Sequence, residues 1–231
     1  RIVERDKYAV ASYNAIHGTN FTTSDITKIS GSDLGIVDTH LYDYILTYSF
    51  PCTDISLAGK MGGMSKGTNT RSGLLWEVER LLDECTELPQ ILLMENVPQI
   101  ISQQNIADFQ DWQYKLEQLG YSNYVSLLNA KDYGIPQNRN RCFMVSILGK
   151  YYYKFPQKQE LKLRLKDMLE DEVDEKYYLS ETAIQYMFNT NYQQNKFKTR
   201  VQGEIASTLC ARDYKDPKCI LVGNLFGGKW D

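Results

Sequence analysis

Four consecutive apolar residues, Ile91-Leu92-Leu93-Met94, run straight into Glu95-Asn96. So short and apolar a run fits a strand buried on both faces, and such strands belong to sheets covered by helices. The flanking sequence agrees. Leu74, Leu75, Val78, Leu81 and Leu82 recur at helical spacing and make one apolar stripe. Asn105 can cap a helix running to Leu119, with Gly120 as its stop, and residues 124–128 and 142–148 supply further strands. Upstream, Ile2-Val3-Glu4 reads as a first strand. Asp6 can cap a helix carrying Tyr8, Val10, Tyr13 and Ile16, ended by Gly18, and residues 42–48 read as another buried strand. This alternation predicts an α/β domain with a mostly parallel sheet, in which ligands collect beyond the carboxyl ends of the strands.

The pattern changes after Gly149. Residues 151–157 read as a connection and 160–169 as an amphipathic helix. Ser180 can cap a short helix ending near Phe188, and 205–222 reads as a hairpin turned by Asp216-Pro217. At 231 residues the chain has room for one large domain, or one and a half. The expected division is 1–149 and 150–231. The first part carries 12 Lys+Arg against 17 Asp+Glu, the second 14 against 12. The basic residues Lys196, Lys198, Arg200, Arg212, Lys215 and Lys218 suit a phosphate backbone, although a solvated surface explains them equally.

Composition excludes several classes. Five Cys without a C-x-x-C pair and only two His argue against a disulfide framework or a zinc site. The thiols are expected to be free and the location cytoplasmic. No run approaches the roughly 18 apolar residues of a membrane helix, so no membrane partner is expected. Opening at Arg1 without Met and stopping at Trp230-Asp231, the chain reads as cut at both ends.

Four segments fall at strand ends. Phe50-Pro51-Cys52 follows the 42–48 strand and precedes a glycine-rich loop, so Cys52 is placed to act as a nucleophile. By type alone, an isolated Cys is more often a small buried hydrophobe. Glu95, at the edge of an apolar strand, is a candidate acid or a structural cap, and Asn96 suits either role. Arg139 and Arg141, at i and i+2 on an extended segment, point the same way and suit an anion or a base carbonyl. Glu4 is a candidate acceptor for ribose hydroxyls, with Asp25-Ile26 further on. His17 and His40 are poorly placed as bases for a cysteine hydrolase.

In this order the segments resemble the DNA (cytosine-5) methyltransferase family. The match runs through Val3-Glu4-Arg5-Asp6-Lys7-Tyr8-Ala9, Ser24-Asp25-Ile26-Thr27, Phe50-Pro51-Cys52, Arg71-Ser72-Gly73-Leu74 and Met94-Glu95-Asn96-Val97. It ends with residues 128–141, which include Gln137-Asn138-Arg139-Asn140-Arg141. Six ordered blocks are far more specific than any one triplet.

The resemblance implies a Rossmann-like S-adenosylmethionine-dependent sheet, here without its first strand, and a small second domain for target recognition. It implies that Cys52 adds to carbon 6 of cytosine, that Glu95 bonds the base's N3 edge and amine, and that Arg139 holds O2. Arg141 would support the site or a phosphate, and Asn96 would orient the Pro51-Cys52 turn. Glu4 would accept from the cofactor ribose, Arg5 stack near the adenine, Asp25 and Ile26 contact the adenine, and Pro51 and Leu74 line the pocket. No metal is implied. The target cytosine must leave the duplex, and loop 56–69 would close over it. Thr208-Leu209 and Arg212 resemble the start of the recognition domain's pattern, and Thr53 stands where many bacterial members carry Gln.

The implied partner is double-stranded DNA and the implied enzyme a monomer serving restriction-modification, with room for a cognate endonuclease, or phage DNA protection. A tRNA cytosine-5 methyltransferase and a degenerate DNA-binding homologue are the alternatives. The family's opening cofactor loop and its late motifs fall outside the 231 residues, so this chain alone is expected to bind the cofactor poorly and to show little activity, while a full-length parent is competent; robust methylation by the 231 residues alone would refute that.

Overall fold

The computed structural model describes residues 1–51, 72–188, 201–210, 213, 215 and 217–220. Cys52, Arg71, Arg212, loop 56–69 and the basic residues 196–200 lie outside them. Two compact units emerge, one of Arg1–Leu128 with Arg141–Phe155, the other of Asn129–Asn140 with Pro156–Asp231. Among the described residues, no helix is long and apolar enough to cross a membrane.

The first unit opens with an unpaired stretch and α1 (Lys7–His17). The Asp6 carboxylate accepts from the Tyr8 and Ala9 amides, and Gly18 ends the helix at φ 62°, a left-handed conformation that costs glycine little. Ile2-Val3-Glu4 forms no strand; its tie is the Ser24 amide donating to the Glu4 carbonyl at 2.8 Å. β1 (Ile45–Tyr48), α2 (Leu75–Glu84), β2 (Ile91–Asn96), α3 (Ile106–Gln118), β3 (Tyr121–Asn129) and β5 (Asn140–Leu148) follow, with β4 (Gln137–Asn138) between β3 and β5. The expected elements are present with ends shifted by a few residues, the ordinary uncertainty of boundaries.

The sheet order is β1-β2-β5-β3. β1 and β2 run parallel, joined through α2, whereas β2 and β5 run antiparallel. β3 and β5 also run antiparallel, as shown by the Gly149 amide bonding the Gly120 carbonyl at one end and the Ala130 amide bonding the Arg139 carbonyl at the other. The mostly parallel expectation therefore needs correction for this sheet: one of its three pairings is parallel. The connection from β3 to β5 holds no crossover helix, and without one neighbouring strands close as a hairpin.

Register sorts the side chains. On one face Leu92, Met94, Cys142 and Met144 pack with Leu75, Val78 and Leu82 of α2 and Phe109, Trp112 and Leu116 of α3. Trp112 is fully buried, and its indole N–H donates to the Tyr48 hydroxyl at 2.9 Å. Asn105 sits before α3 without capping it: its Nδ2 donates to the Gln99 carbonyl and the Ser102 hydroxyl.

In the second unit two expectations are corrected. Residues 160–169 hold only a 3₁₀ turn, Leu165–Met168. Leu161, Leu163 and Leu165 alternate at period two, which suits extended chain. The Leu165 amide donates to the Glu204 carbonyl at 2.7 Å, while Arg164 pairs with Glu204 at 3.2 Å. The expected 205–222 hairpin is also absent among the described residues: β6 (Ala206–Ser207) pairs in parallel with β4, and Val201 bridges Cys219 in parallel. α4 (Glu181–Phe188) forms as expected, with the Ser180 hydroxyl accepting from the Ala183 amide.

Candidate active site

Glu95 and Arg141 are brought together by register. Glu95 lies opposite Phe143, so Arg141, two residues before Phe143, is its diagonal neighbour on the same face of the antiparallel pair. Arg141 Nε lies 2.9 Å from Glu95 Oε1. Asn96 points to the opposite face, is buried, and donates through Nδ2 to the Phe50 carbonyl at 3.1 Å. The end of β2 is thereby tied to the end of the chain leaving β1, immediately before Pro51. Its Oδ1 accepts from the Val97 amide. An asparagine whose two ends are so committed is fitted to hold the Phe50-Pro51 turn.

Arg139 belongs to the second unit. Its amide donates to Asn129 Oδ1 at 3.1 Å and its carbonyl accepts from the Ala130 amide, which fixes the backbone from which its side chain extends. In the same unit the Thr208 hydroxyl donates to the Asn138 carbonyl at 2.8 Å, while Leu209 is exposed.

The first unit also holds a cavity of about 800 Å³, and Glu4, Arg5, Asp25, Ile26, Pro51 and Leu74 all line it. This volume falls in the roughly 300–1,000 Å³ range of small-molecule sites. Its walls combine apolar side chains with the charged Arg1, Glu4, Arg5 and Asp25 and several hydroxyl groups. Asp25 accepts from the Thr27 amide at 3.0 Å and from the Thr27 hydroxyl at 2.8 Å. Those bonds hold its carboxyl below the usual range, the amide contributing most, so Asp25 is an ionised acceptor at neutral pH. Glu4 Oε1 accepts from the Asp6 amide at 2.7 Å.

Arg80 is a residue that the sequence reading passed over. Its Nη2 donates to the Ile26 carbonyl at 2.9 Å, while Nε and Nη1 bond Glu77 and Glu84, each at 2.8 Å. Glu84 Oε2 accepts from the Gly31 amide at 2.9 Å. Helix α2 therefore grips both ends of the 26–31 segment, whose first residue lines the cavity. The available signal was Glu77-x-x-Arg80-x-x-x-Glu84, an i,i+3 and i,i+4 charge pattern. Gly31 itself permits the approach, since a Cβ there would meet the backbone of Leu81, Glu84 and Cys85 at 2.7–2.8 Å.

The family model for C-5 cytosine-specific DNA methylase matches residues 2–220. The chain belongs to that family. The type II methyltransferase M2.ScrFI of Lactococcus lactis subsp. cremoris is 38% identical over 188 residues, covering 77% of this chain and 52% of the relative. The orphan methyltransferase M.SssI of Spiroplasma monobiae is 45% identical over 138 residues, covering 59% of this chain and 36% of the relative. The type II methyltransferase M.NlaX of Neisseria lactamica is 34% identical over 232 residues, covering 95% and 69%. The chain thus spans about half or less of the length of the first two.

Among solved structures, the S. pombe Dnmt2 methyltransferase aligns with TM-score 0.63 at 19% identity, covering 92% of this chain and 63% of that one. The Entamoeba histolytica methyltransferase EhMeth aligns equally well, at 18% identity over 80% of this chain and 56% of its own. At such identity the likeness establishes the shared α/β methyltransferase fold of this C-5 cytosine methylase family member.

Proposed function

We propose that the protein transfers a methyl group from S-adenosylmethionine to carbon 5 of cytosine in double-stranded DNA, through a covalent Cys52 adduct with the extruded base. The observation that carries this reading is the shared cavity: six residues assigned to cofactor contact by motif position alone all line one space of about 800 Å³. The apolar side chains suit an adenine ring, and the Glu4 and Asp25 carboxylates suit hydroxyl and amine donors. When bound, S-adenosylmethionine supplies an electrophilic methyl group.

Carbon 5 of cytosine is a weak nucleophile. Addition of the Cys52 thiolate at carbon 6 makes carbon 5 enamine-like, and negative charge builds on the N3 edge. Glu95 is assigned by its motif to donate to N3 and to accept from the exocyclic amine, with Arg141 fixing its orientation through the 2.9 Å contact. Arg139 is assigned to the base's O2 by the same resemblance. Loss of the carbon 5 proton and elimination of the sulfur then restore the thiolate and release 5-methylcytosine. Asn96 acts on the turn that carries Pro51 and Cys52.

Residues 150–231 are proposed as the start of the target-recognition region, and the enzyme as a cytoplasmic monomer serving a restriction-modification system, with a cognate endonuclease, or protecting phage DNA.

Tritium release by the full-length parent protein from duplex DNA labelled at cytosine carbon 5 tests the reaction, with labelled tRNA as the competing substrate. Release from DNA and a stable adduct with 5-fluorocytosine DNA are expected. Release from tRNA alone, or DNA binding without an adduct, would overturn the proposal.

A further inference from the structure

We propose that the second unit carries an oxyanion pocket that grips a backbone phosphate of the bound nucleic acid, with Lys131 as its cation. The inference rests on the DNA reading above and adds a specific contact to it. A second cavity, open-mouthed and of about 320 Å³, lies wholly within this unit, and Lys131, Asn138, Gln202, Gly203 and Ser207 contribute to its wall.

The β4–β6 ladder builds it. In that parallel register Asn138 and Ser207 are direct partners, which places the two side chains side by side. Asn138 Oδ1 already accepts from Asn129 Nδ2 at 2.8 Å, so its own amide N–H groups are what it has left to offer. Gln202 Oε1 accepts from the Ser207 amide at 2.7 Å. The Ser207 hydroxyl is enclosed in the wall and has no hydrogen-bond partner among the described residues. A buried hydroxyl left in this state is costly, and rotation about its one side-chain torsion turns it towards a guest.

The charge balance has one sign. Among the described residues, no carboxylate lines the cavity. The two acidic residues next to its wall in sequence are engaged elsewhere, Asp132 with Lys158 at 2.8 Å and Glu204 with Arg164 at 3.2 Å. Lys131 makes no ion pair among the described residues. An ammonium, an amide donor and a hydroxyl donor around an open mouth select an oxyanion. The open mouth favours a charge carried on a polymer over an enclosed small molecule. The basic run Lys196, Lys198 and Arg200 precedes the wall residue Val201 in sequence and adds the same preference.

The test is the salt dependence of duplex binding by the whole protein, measured with two duplexes of unrelated sequence. Lys131→Met is expected to reduce the slope of log K against log salt by about 0.9, the value for one phosphate contact, and to weaken both duplexes equally. Lys131→Arg should restore the slope. Ser207→Ala, which removes no charge, should weaken binding roughly 3- to 10-fold with the slope unchanged. An unchanged slope in Lys131→Met, or a loss confined to one sequence, would overturn the pocket while leaving the DNA reading intact. If the unaltered protein bound no duplex at all, the underlying reading would fail and this proposal with it.

Discussion

Arg141 Nε and Glu95 Oε1 lie 2.9 Å apart because an antiparallel register sets residue 141 diagonal to residue 95. The pair joins the end of one strand to the start of another 46 positions along the chain. If the carboxyl group works through that contact, Glu95→Gln and Arg141→Met should each lower single-turnover methylation by about 10²- to 10³-fold. The double variant should then lose little more than the worse single one. Fully additive losses would show that the two side chains act separately.

The grip of Arg80 on Ile26 gives a prediction that separates binding from chemistry. Arg80→Met removes the donor to the Ile26 carbonyl and leaves Glu77 and Glu84 without their cation. The dissociation constant for S-adenosylmethionine should rise roughly tenfold, equivalent to about 1.4 kcal/mol, while the rate at saturating cofactor changes little. Equilibrium binding and a kcat-against-KM comparison check it. A fall in kcat alone would rule out the positioning role.

Gly31→Ala should destabilise the first unit by about 1–3 kcal/mol, since the methyl group meets backbone and no flexible side chain can yield. Thermal unfolding reads this as a fall of about 2–4 °C per kcal/mol. An unchanged melting temperature would mean that the 26–31 segment is not held against α2.

Tyr48→Phe strips the acceptor from a fully buried indole N–H. The expected cost is about 1–3 kcal/mol, the penalty of an unsatisfied buried donor, measured by denaturant unfolding. Burial also pushes the Tyr48 hydroxyl well above its ordinary value, so absorbance titration should show it unionised until the protein unfolds.

Burial raises the Cys142 thiol from its ordinary 9.0 to about 11. A folded-state value above the unfolded one contributes stability that is complete below about 9 and disappears as pH climbs towards 11. Unfolding midpoints should therefore fall across that alkaline window and show no pH dependence from Cys142 between pH 7 and 8. At pH 8 a disulfide-exchange reagent should label exposed Cys210 quickly and Cys142 only after denaturation. Rapid labelling of Cys142 in the native protein would contradict the packing of the sheet.

Much of the fold was legible because its signals are local. Asp6 and Gly18 bracket α1, the Leu74–Leu82 stripe marks α2, and the unbroken Ile91–Met94 run marks β2; each depends on a few consecutive residues. Pairing direction was not legible, since nothing within residues 140–148 states which neighbour they join. The 160–169 segment misled because its charges resemble an amphipathic helix while its leucines alternate as in a strand. What holds it is a bond to Glu204, 39 positions beyond Leu165.

At the site, motif order named the six cavity residues without showing that they share a wall, and it missed Arg80, whose work is done on a backbone carbonyl. The nucleophile assigned by the same motifs, Cys52, lies outside the described residues; what the structure describes is the Asn96 bond to the Phe50 carbonyl.

The chain passes between its two units three times, at 128–129, 140–141 and 155–156. A chimera that exchanged only the carboxyl-terminal portion with a relative would leave residues 129–140 in the host while removing β6, the strand that completes their ladder. The transferable module is therefore discontinuous, a short inner peptide plus a long outer one, and both pieces must travel together for a graft to keep its shape.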